Sequence, residues 1–531
     1  MNDLVIRNGW ILDGTGAPRF RGDLAVREGR IASLEAPGQA LGKQVLDADG
    51  LAVAPGFIDI HTHSELAVLA DPSMPFKIRQ GVTTDVLGNC GFSAGPLSAA
   101  SADLFRELSE PVFGHPELSW DWDSLQGYLS RIEQQRAAVN VATLVGHGTL
   151  RAAVMGFERR APRADELQAM RRALDECLEQ GALGLSTGLV YPPGCYAETA
   201  ELIELGKVAG RRGGVYATHL RDQADHLLDA VREALEIGEG GDLSVQISHH
   251  KCAGVANRGK VRESLALLDG ARSGGTQPGS DVYPYLAGSS TLVSIFPSWA
   301  MEGGVQALLA RLADPKQRRQ IETDFVTGVA GWENRAKVAG WENIFVSSVA
   351  SQKNQHLVGK NIAELAKQKG VTPAKAVCEV LLEGGGRVGY IGYNSSEQDV
   401  ETVLRHPRTS VGSDGLDVGE RPHPRLYGTF ARILGEYVRK RGVLSLEEAV
   451  YKMTGLPAAQ MKLGGIGRLA PGYRADLVLF DPETVIDQAT FEKPRQFPLG
   501  IPHVFVAGVA VVANERVTGA LPGQVLRRAA A

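Results

Sequence analysis

Cysteine is scarce and poorly placed for pairing: Cys90, Cys177, Cys195, Cys252 and Cys378 are scattered over 531 positions. An odd, dispersed set does not make a disulfide framework. Any special thiol is expected to serve a metal or a reaction, as suits a reducing compartment. Long apolar runs are absent as well, and no uninterrupted stretch approaches the roughly 20 residues that cross a bilayer. The start of the chain, MNDLVIRNGWILDG, alternates like a strand. It lacks the charged beginning, apolar middle and small-residue cleavage site of a secretory signal, so a cytoplasmic protein is expected. Charge of one sign is missing too: a net charge of −5 leaves no footprint for nucleic acid or for an anionic membrane. What remains is an ordinary globular composition, 44% hydrophobic and 22% charged. At this length it implies one large barrel with a satellite domain, or two to three domains.

Residues 1–54 read as short strands with Gly or Asp at the turns, and residues 468–531 read alike. Two β-rich ends around a different middle predict a small β-sandwich built from both termini. The character changes at PGFIDIHTH. From there to about residue 467, short apolar runs alternate with amphipathic helices. Over 164–180, for example, Leu167, Met170, Leu174, Cys177 and Leu178 share one helical face. Strand starts recur about every 30 residues, the size of a βα unit. The fold class expected is therefore α/β, a (β/α)8 TIM-like barrel over 55–467. No glycine-rich dinucleotide fingerprint follows a strand, which weighs against an open doubly wound sheet. Residues 286–345, with two GWEN copies, break the cadence and read as an inserted, lid-like segment after a barrel strand.

Several polar residues fall at the ends of barrel-type strands: His61 and His63 in FIDIHTH, His219 in YATHL, His249 and His250 in VQISHHK. Cys90 ends the run TTDVLGNC and Asp414 ends TSVGSDG. In a barrel such ends converge on one mouth. His61 and His63, two apart on a strand, point the same way. Thiolate and imidazole are preferred zinc ligands, and a nearby carboxylate can carry a proton to and from a hydrolytic water. A single strand-end histidine is commonly only a hydrogen-bonding group; the joint pattern predicts a metal hydrolase.

The segments PGFIDIHTH, GNCGFSAGP, ATHLRD, ISHHK, DVYPYLAGSST and SDG, the last followed by HPRLYGTF, resemble the D-aminoacylase family of the amidohydrolase superfamily. The resemblance spans almost the whole chain. It implies a tightly held Zn2+ on Cys90, His219 and His249, a weaker second metal near His61 and His63, and Asp414 as catalytic base. It also implies that Lys251, Tyr283 and Arg425 hold the substrate carboxylate, and Ser289 is expected to bind substrate as well. Tyr191, in LVYPPG, is the expected donor to the developing oxyanion. His147 and His250 are expected to pack or to support the ligands. Many binuclear members of the superfamily carry a modified lysine where this chain has Ser186, which leaves Cys90 as the available anionic ligand.

The activity implied is zinc-dependent hydrolysis of N-acyl-D-amino acids. The run over 289–299 supplies Leu292, Val293, Ile295, Phe296 and Trp299 and no cation, so apolar side chains are expected. Another amidohydrolase, such as a D-residue dipeptidase or a cyclic-imide hydrolase, is the alternative. The partner expected is a small-molecule substrate, without nucleic acid or membrane, and the protein itself a monomer or small homo-oligomer.

Overall fold

The computed structural model describes residues 1–97, 102–114, 116–272, 275 and 277–528. Eight short, buried, parallel strands form its centre. In chain order they are Phe57–Asp59 (extended by Thr62–His63), Val82–Leu87, Asn140–Thr143 (extended by Val145–Gly146), Gly184–Gly188, Val215–His219, Ser244–Ile247, Gly279–Val282 and Thr409–Val411. Each pairs in parallel with the next. Gly415–Leu416, just past the eighth strand, closes the ring on Thr62–His63. The arrangement is a (β/α)8 barrel. Its strands are buried on both faces, yet they carry polar residues such as Asp59, Asp85, Ser186, Gln246 and Asp281 among the apolar ones. Their helices wrap outside, as in Ala164–Glu179, which turns Met170, Leu174, Cys177 and Leu178 inward.

Both chain ends enter one nine-stranded sheet. Arg516–Val517, Val509–Ala513, His503–Val506, Leu477–Phe480, Ala52–Pro55, Asn2–Ile11, Phe20–Arg27 and Arg30–Glu35 follow one another, and Gly42–Asp47 also pairs with Asn2–Ile11. The sheet bends over a core that includes Leu4, Ile6, Leu24, Val26, Leu477, Leu479 and Phe505, drawn from both termini, and so forms the β-sandwich. After Val517 the chain leaves this sheet. It runs beside the third barrel strand, where Leu526 N donates to Val141 O at 2.7 Å and Val141 N to Gln524 O at 2.9 Å.

Between the seventh and eighth barrel strands the chain makes an excursion over 283–408, well past the 286–345 expected from sequence. It contains its own antiparallel sheet, Ala287–Thr291, Val388–Tyr393 and Ile344–Val349, with Val388–Tyr393 in the middle. The strand Ile344–Val349 and the helices Ile362–Lys369 and Pro373–Glu383 follow at the same spacing as a barrel βα unit, so periodicity does not separate them from the barrel. Among the described residues no helix is long and apolar enough to cross a membrane.

Candidate metal centre and substrate pocket

The chemistry-bearing residues lie at or just past the C-terminal ends of the barrel strands. His219 is the last residue of the fifth strand; Cys90, His249 and Asp414 follow the second, sixth and eighth. The last three hold φ values of 54°, 35° and 49°. A non-glycine residue in this left-handed region is strained by roughly 1–3 kcal/mol, and such residues persist where the surroundings fix them. Here they turn three side chains toward one point.

Cys90 Sγ lies 3.3 Å from His61 Nε2, 3.7 Å from His219 Nδ1 and 3.5 Å from His249 Nε2. Two overlapping groups result, Cys90 with His219 and His249, and His61, His63, Cys90 with Asp414; in each, one ligand atom per residue lies within 4.8 Å of the others. One thiol, four imidazoles and one carboxylate, all buried, make a donor set that fits zinc. Burial opposes a charged thiol, but the adjacent His61 brings Cys90 below the ordinary thiol range, toward the thiolate that a metal needs. Burial, Arg335 and Lys251 hold His219 well below the ordinary histidine range; burial, Lys251 and His219 do the same for His249, so both rings are neutral.

The ligand-bearing loop is held by small residues. A side chain on Gly188 would meet Cys90 O at 2.0 Å, and one on Gly146 would meet Gly91 O at 2.4 Å. Ser186 sits beneath: its Oγ accepts from Gly91 N at 3.1 Å and donates to Gly88 O. Ser186 thus anchors the Cys90 loop. Supporting groups also come from residues that the sequence reading overlooked. Asp281 Oδ1 is 3.2 Å from His61 Nδ1 and accepts from His249 N at 2.7 Å. Gln223 lies 3.2 Å from His249 Nδ1. Buried Lys77 donates to Asp59 Oδ2 at 2.5 Å and to Thr62 Oγ1 at 2.7 Å, directly behind the His61–His63 segment. Asp281 lies within the seventh barrel strand, where a charged residue in a buried segment is detectable in principle; Gln223 carries no such signal.

Asp414 Oδ1 stands 3.6 Å from His61 Nε2 and 3.3 Å from His63 Nε2, and Oδ2 is 2.9 Å from Arg425 Nη1. Burial would raise its carboxyl, but Arg425 and the histidines hold it well below the ordinary range. Arg425 is fully buried, and neither its Nε nor its Nη1 makes an aligned hydrogen bond despite the close carboxylate. Its guanidinium lies over the Tyr283 ring at 4.7 Å, and Lys251 Nζ donates to the Tyr283 hydroxyl at 3.0 Å. Lys251, Tyr283, Ser289, Tyr191, His219, His249 and Asp414 all line one pocket. Tyr191 OH is 3.1 Å from Ser290 Oγ. Two histidines point elsewhere, His147 to Glu201 at 2.9 Å and His250 to Ser264 Oγ at 2.7 Å.

The expected apolar pocket wall is not there. Leu292, Val293, Ile295 and Phe296 are buried in the core, and Trp299 packs against it. From that run the pocket receives Ser289 and Ser290, and from elsewhere in the excursion Glu333, Arg335, Tyr390 and Asn394. Leu292–Ile295 forms a 3-10 turn whose apolar residues seal the excursion's own core, a demand that residue type alone does not distinguish from a ligand pocket.

Comparison with known proteins agrees with this geometry. Residues 44–512 match the amidohydrolase family. The chain is 40% identical to D-aminoacylase of Alcaligenes xylosoxydans xylosoxydans over 529 residues, covering 100% of this chain and 98% of that one. It is 41% identical to N-acyl-D-aspartate deacylase of the same organism, covering 99% and 95%. The crystal structure of N-acyl-D-glutamate deacylase from Bordetella bronchiseptica, complexed with zinc and a phosphonate mimic of the tetrahedral intermediate, superposes with a TM-score of 0.82. It is 37% identical and covers 99% of each chain. On these matches the chain belongs to the amidohydrolase family, in its D-aminoacylase branch.

Proposed function

We propose that this protein is a zinc-dependent deacylase that hydrolyses the amide bond of N-acyl-D-amino acids, releasing a carboxylate and a free D-amino acid. The observation that carries the reading is the convergence of Cys90, His219 and His249 beside Asp414, in a pocket that also holds Lys251 and Tyr283. Cys90, His219 and His249 would hold the zinc, with His61 and His63 available to a weaker second metal. When bound, zinc supplies a Lewis acid that polarises the amide carbonyl and makes water acidic near neutrality.

The chain's own residues do the rest. Asp414 Oδ1 takes the proton of the attacking water and delivers it to the leaving nitrogen. Its low affinity for protons keeps it ionised and ready at neutral pH. Burial keeps the Tyr191 hydroxyl protonated, so it can donate to the oxyanion that forms at the carbonyl. Lys251, the Tyr283 hydroxyl, Arg425 and Ser289 receive the α-carboxylate, which fixes the scissile bond relative to Asp414. The reading extends to a cytoplasmic enzyme, monomer or small homo-oligomer, whose partner is its small-molecule substrate. Relatives at 41% and 38% identity are an N-acyl-D-aspartate and an N-acyl-D-glutamate deacylase, so identity alone does not select one side chain.

The test is turnover of matched N-acetyl-D- and N-acetyl-L-amino acids, dipeptides and dihydropyrimidines, with zinc stoichiometry on the same batch. The expected result is hydrolysis of N-acetyl-D-amino acids with about one tightly held zinc per chain. Preference for L-substrates or for cyclic amides would overturn it.

A further inference from the structure

The excursion over 283–408 sends one guanidinium to the pocket wall that the reaction above does not use. Arg335 opens the short helix Arg335–Ala339 and is buried. A guanidinium carries five N–H bonds in a rigid fork. Arg335 Nε donates to Glu333 Oε1 at 3.1 Å, and Nη1 lies 3.1 Å from Ser294 Oγ and 3.3 Å from the Tyr390 hydroxyl. Nη2 has His219 Nε2 at 3.2 Å. His219 turns its other nitrogen, Nδ1, toward Cys90. Whenever Nδ1 serves a metal, the neutral ring carries its proton on Nε2 and ceases to be an acceptor. Two donors then face each other at the pocket wall, and both N–H bonds of Nη2 need an acceptor from elsewhere. Tyr191, Ser290 and Tyr390 line the same wall.

We propose that Arg335 Nη2 receives a second oxygen of the substrate, a carboxamide or carboxylate oxygen distinct from the α-carboxylate, and so makes the enzyme selective for substrates that carry one. The inference rests on the deacylase reading and sharpens it. Charge favours this division of labour. Among the described residues Lys251 has no carboxylate within ion-pair distance and, with Arg425, answers the α-carboxylate. Arg335 is paired with Glu333, whose other oxygen is fixed by Gln223 N at 2.7 Å. It therefore offers directed N–H bonds more than net charge, and a neutral carboxamide suits it as well as an anion. The oxygen can come from the amino-acid side chain or from the acyl group.

The test compares kcat/KM for N-acetyl-D-glutamine, N-acetyl-D-glutamate, N-succinyl-D-leucine and N-acetyl-D-leucine, using the zinc-loaded wild type, Arg335→Met and Arg335→Lys. A hydrogen bond from a charged donor predicts that at least one oxygen-bearing substrate exceeds N-acetyl-D-leucine by about tenfold or more. Preference for the glutamine or glutamate derivative assigns the oxygen to the side chain, and preference for the succinyl derivative assigns it to the acyl group. Arg335→Met should lower kcat/KM for the preferred oxygen-bearing substrate about tenfold more than for N-acetyl-D-leucine, with zinc content measured on the same batch. Arg335→Lys keeps charge without the fork and should reduce the preference, which covers the case of a Met variant that does not fold. Calorimetric binding of D-glutamine and D-leucine reads a side-chain preference without turnover. N-acetyl-D-leucine as the best substrate, or an equal fall on all four substrates in the variants, would overturn the inference while leaving the deacylase reading intact. No hydrolysis of any of the four by the wild type would sink both.

Discussion

Replacing Ser186 by Ala isolates the contact that anchors the Cys90 loop. Ser186 is fully buried, accepts from Gly91 N and donates to Gly88 O, and so ties down both flanks of Cys90. The substitution leaves one buried amide and one buried carbonyl without that partner. At about 1–3 kcal/mol for each unmet group, the cost is roughly 2–6 kcal/mol, reduced by any water that enters. Against the 5–15 kcal/mol that usually holds a domain together, this is a large fraction. Part of the loss falls on the left-handed turn at Cys90, so the thiol should lose its fixed position relative to His219 and His249. The assay is thermal unfolding together with zinc retention during dialysis against a graded chelator series. A lowered unfolding midpoint and earlier loss of zinc are expected. An Ala variant with wild-type midpoint and wild-type zinc retention would refute the argument that Ser186 organises the ligand loop.

Asp414→Asn should lower kcat by about 10²–10⁴ while zinc stays bound, because the change removes the proton acceptor but none of the three principal ligands; near-normal turnover in steady-state kinetics would contradict the assigned role. The same variant reads a pH dependence. Asp414 binds its proton less readily in the folded protein than in the unfolded chain, so its contribution to stability is present above the ordinary carboxylate range and is lost as pH falls. The stability gap between wild type and Asp414→Asn in denaturant unfolding should therefore narrow below about pH 4. Lys251→Met should raise KM about 10- to 100-fold with a much smaller change in kcat, the signature of a lost contact to the α-carboxylate. An unchanged KM would remove Lys251 from substrate binding.

Much of the architecture was legible in the residues because its physical causes are periodic. The helix over Ala164–Glu179 shows a single apolar stripe, and the barrel strands are short buried segments that recur at βα spacing with His or Asp at or just past their ends. The convergence of Cys90, His219 and His249 follows once those segments are placed in one closed sheet, since their ends must then share a mouth. What was hidden has no period. Arg335 and Glu333 reach the pocket from a loop and a five-residue helix about 50 positions after Tyr283, and only the tertiary path of the excursion brings them there. The apolar run over 292–296 was misread because core and ligand pocket ask for the same residue types. Lys77, buried behind His61 with Asp59, sits in the unremarkable stretch PFKIRQ; its pairing partners lie on two different strands and cannot be matched from spacing. The extent of the excursion was hidden for the opposite reason, an excess of signal, because its strands and helices keep the cadence of the barrel.

The central claim is that one thiolate and two imidazoles, from Cys90, His219 and His249, share a zinc ion. Zinc K-edge X-ray absorption on enzyme loaded with one zinc per chain tests it most directly. The account predicts one sulfur scatterer at about 2.3 Å and nitrogen scatterers near 2.0 Å, with the sulfur lost in Cys90→Ser. A first coordination sphere of nitrogen and oxygen alone in the wild type would contradict it.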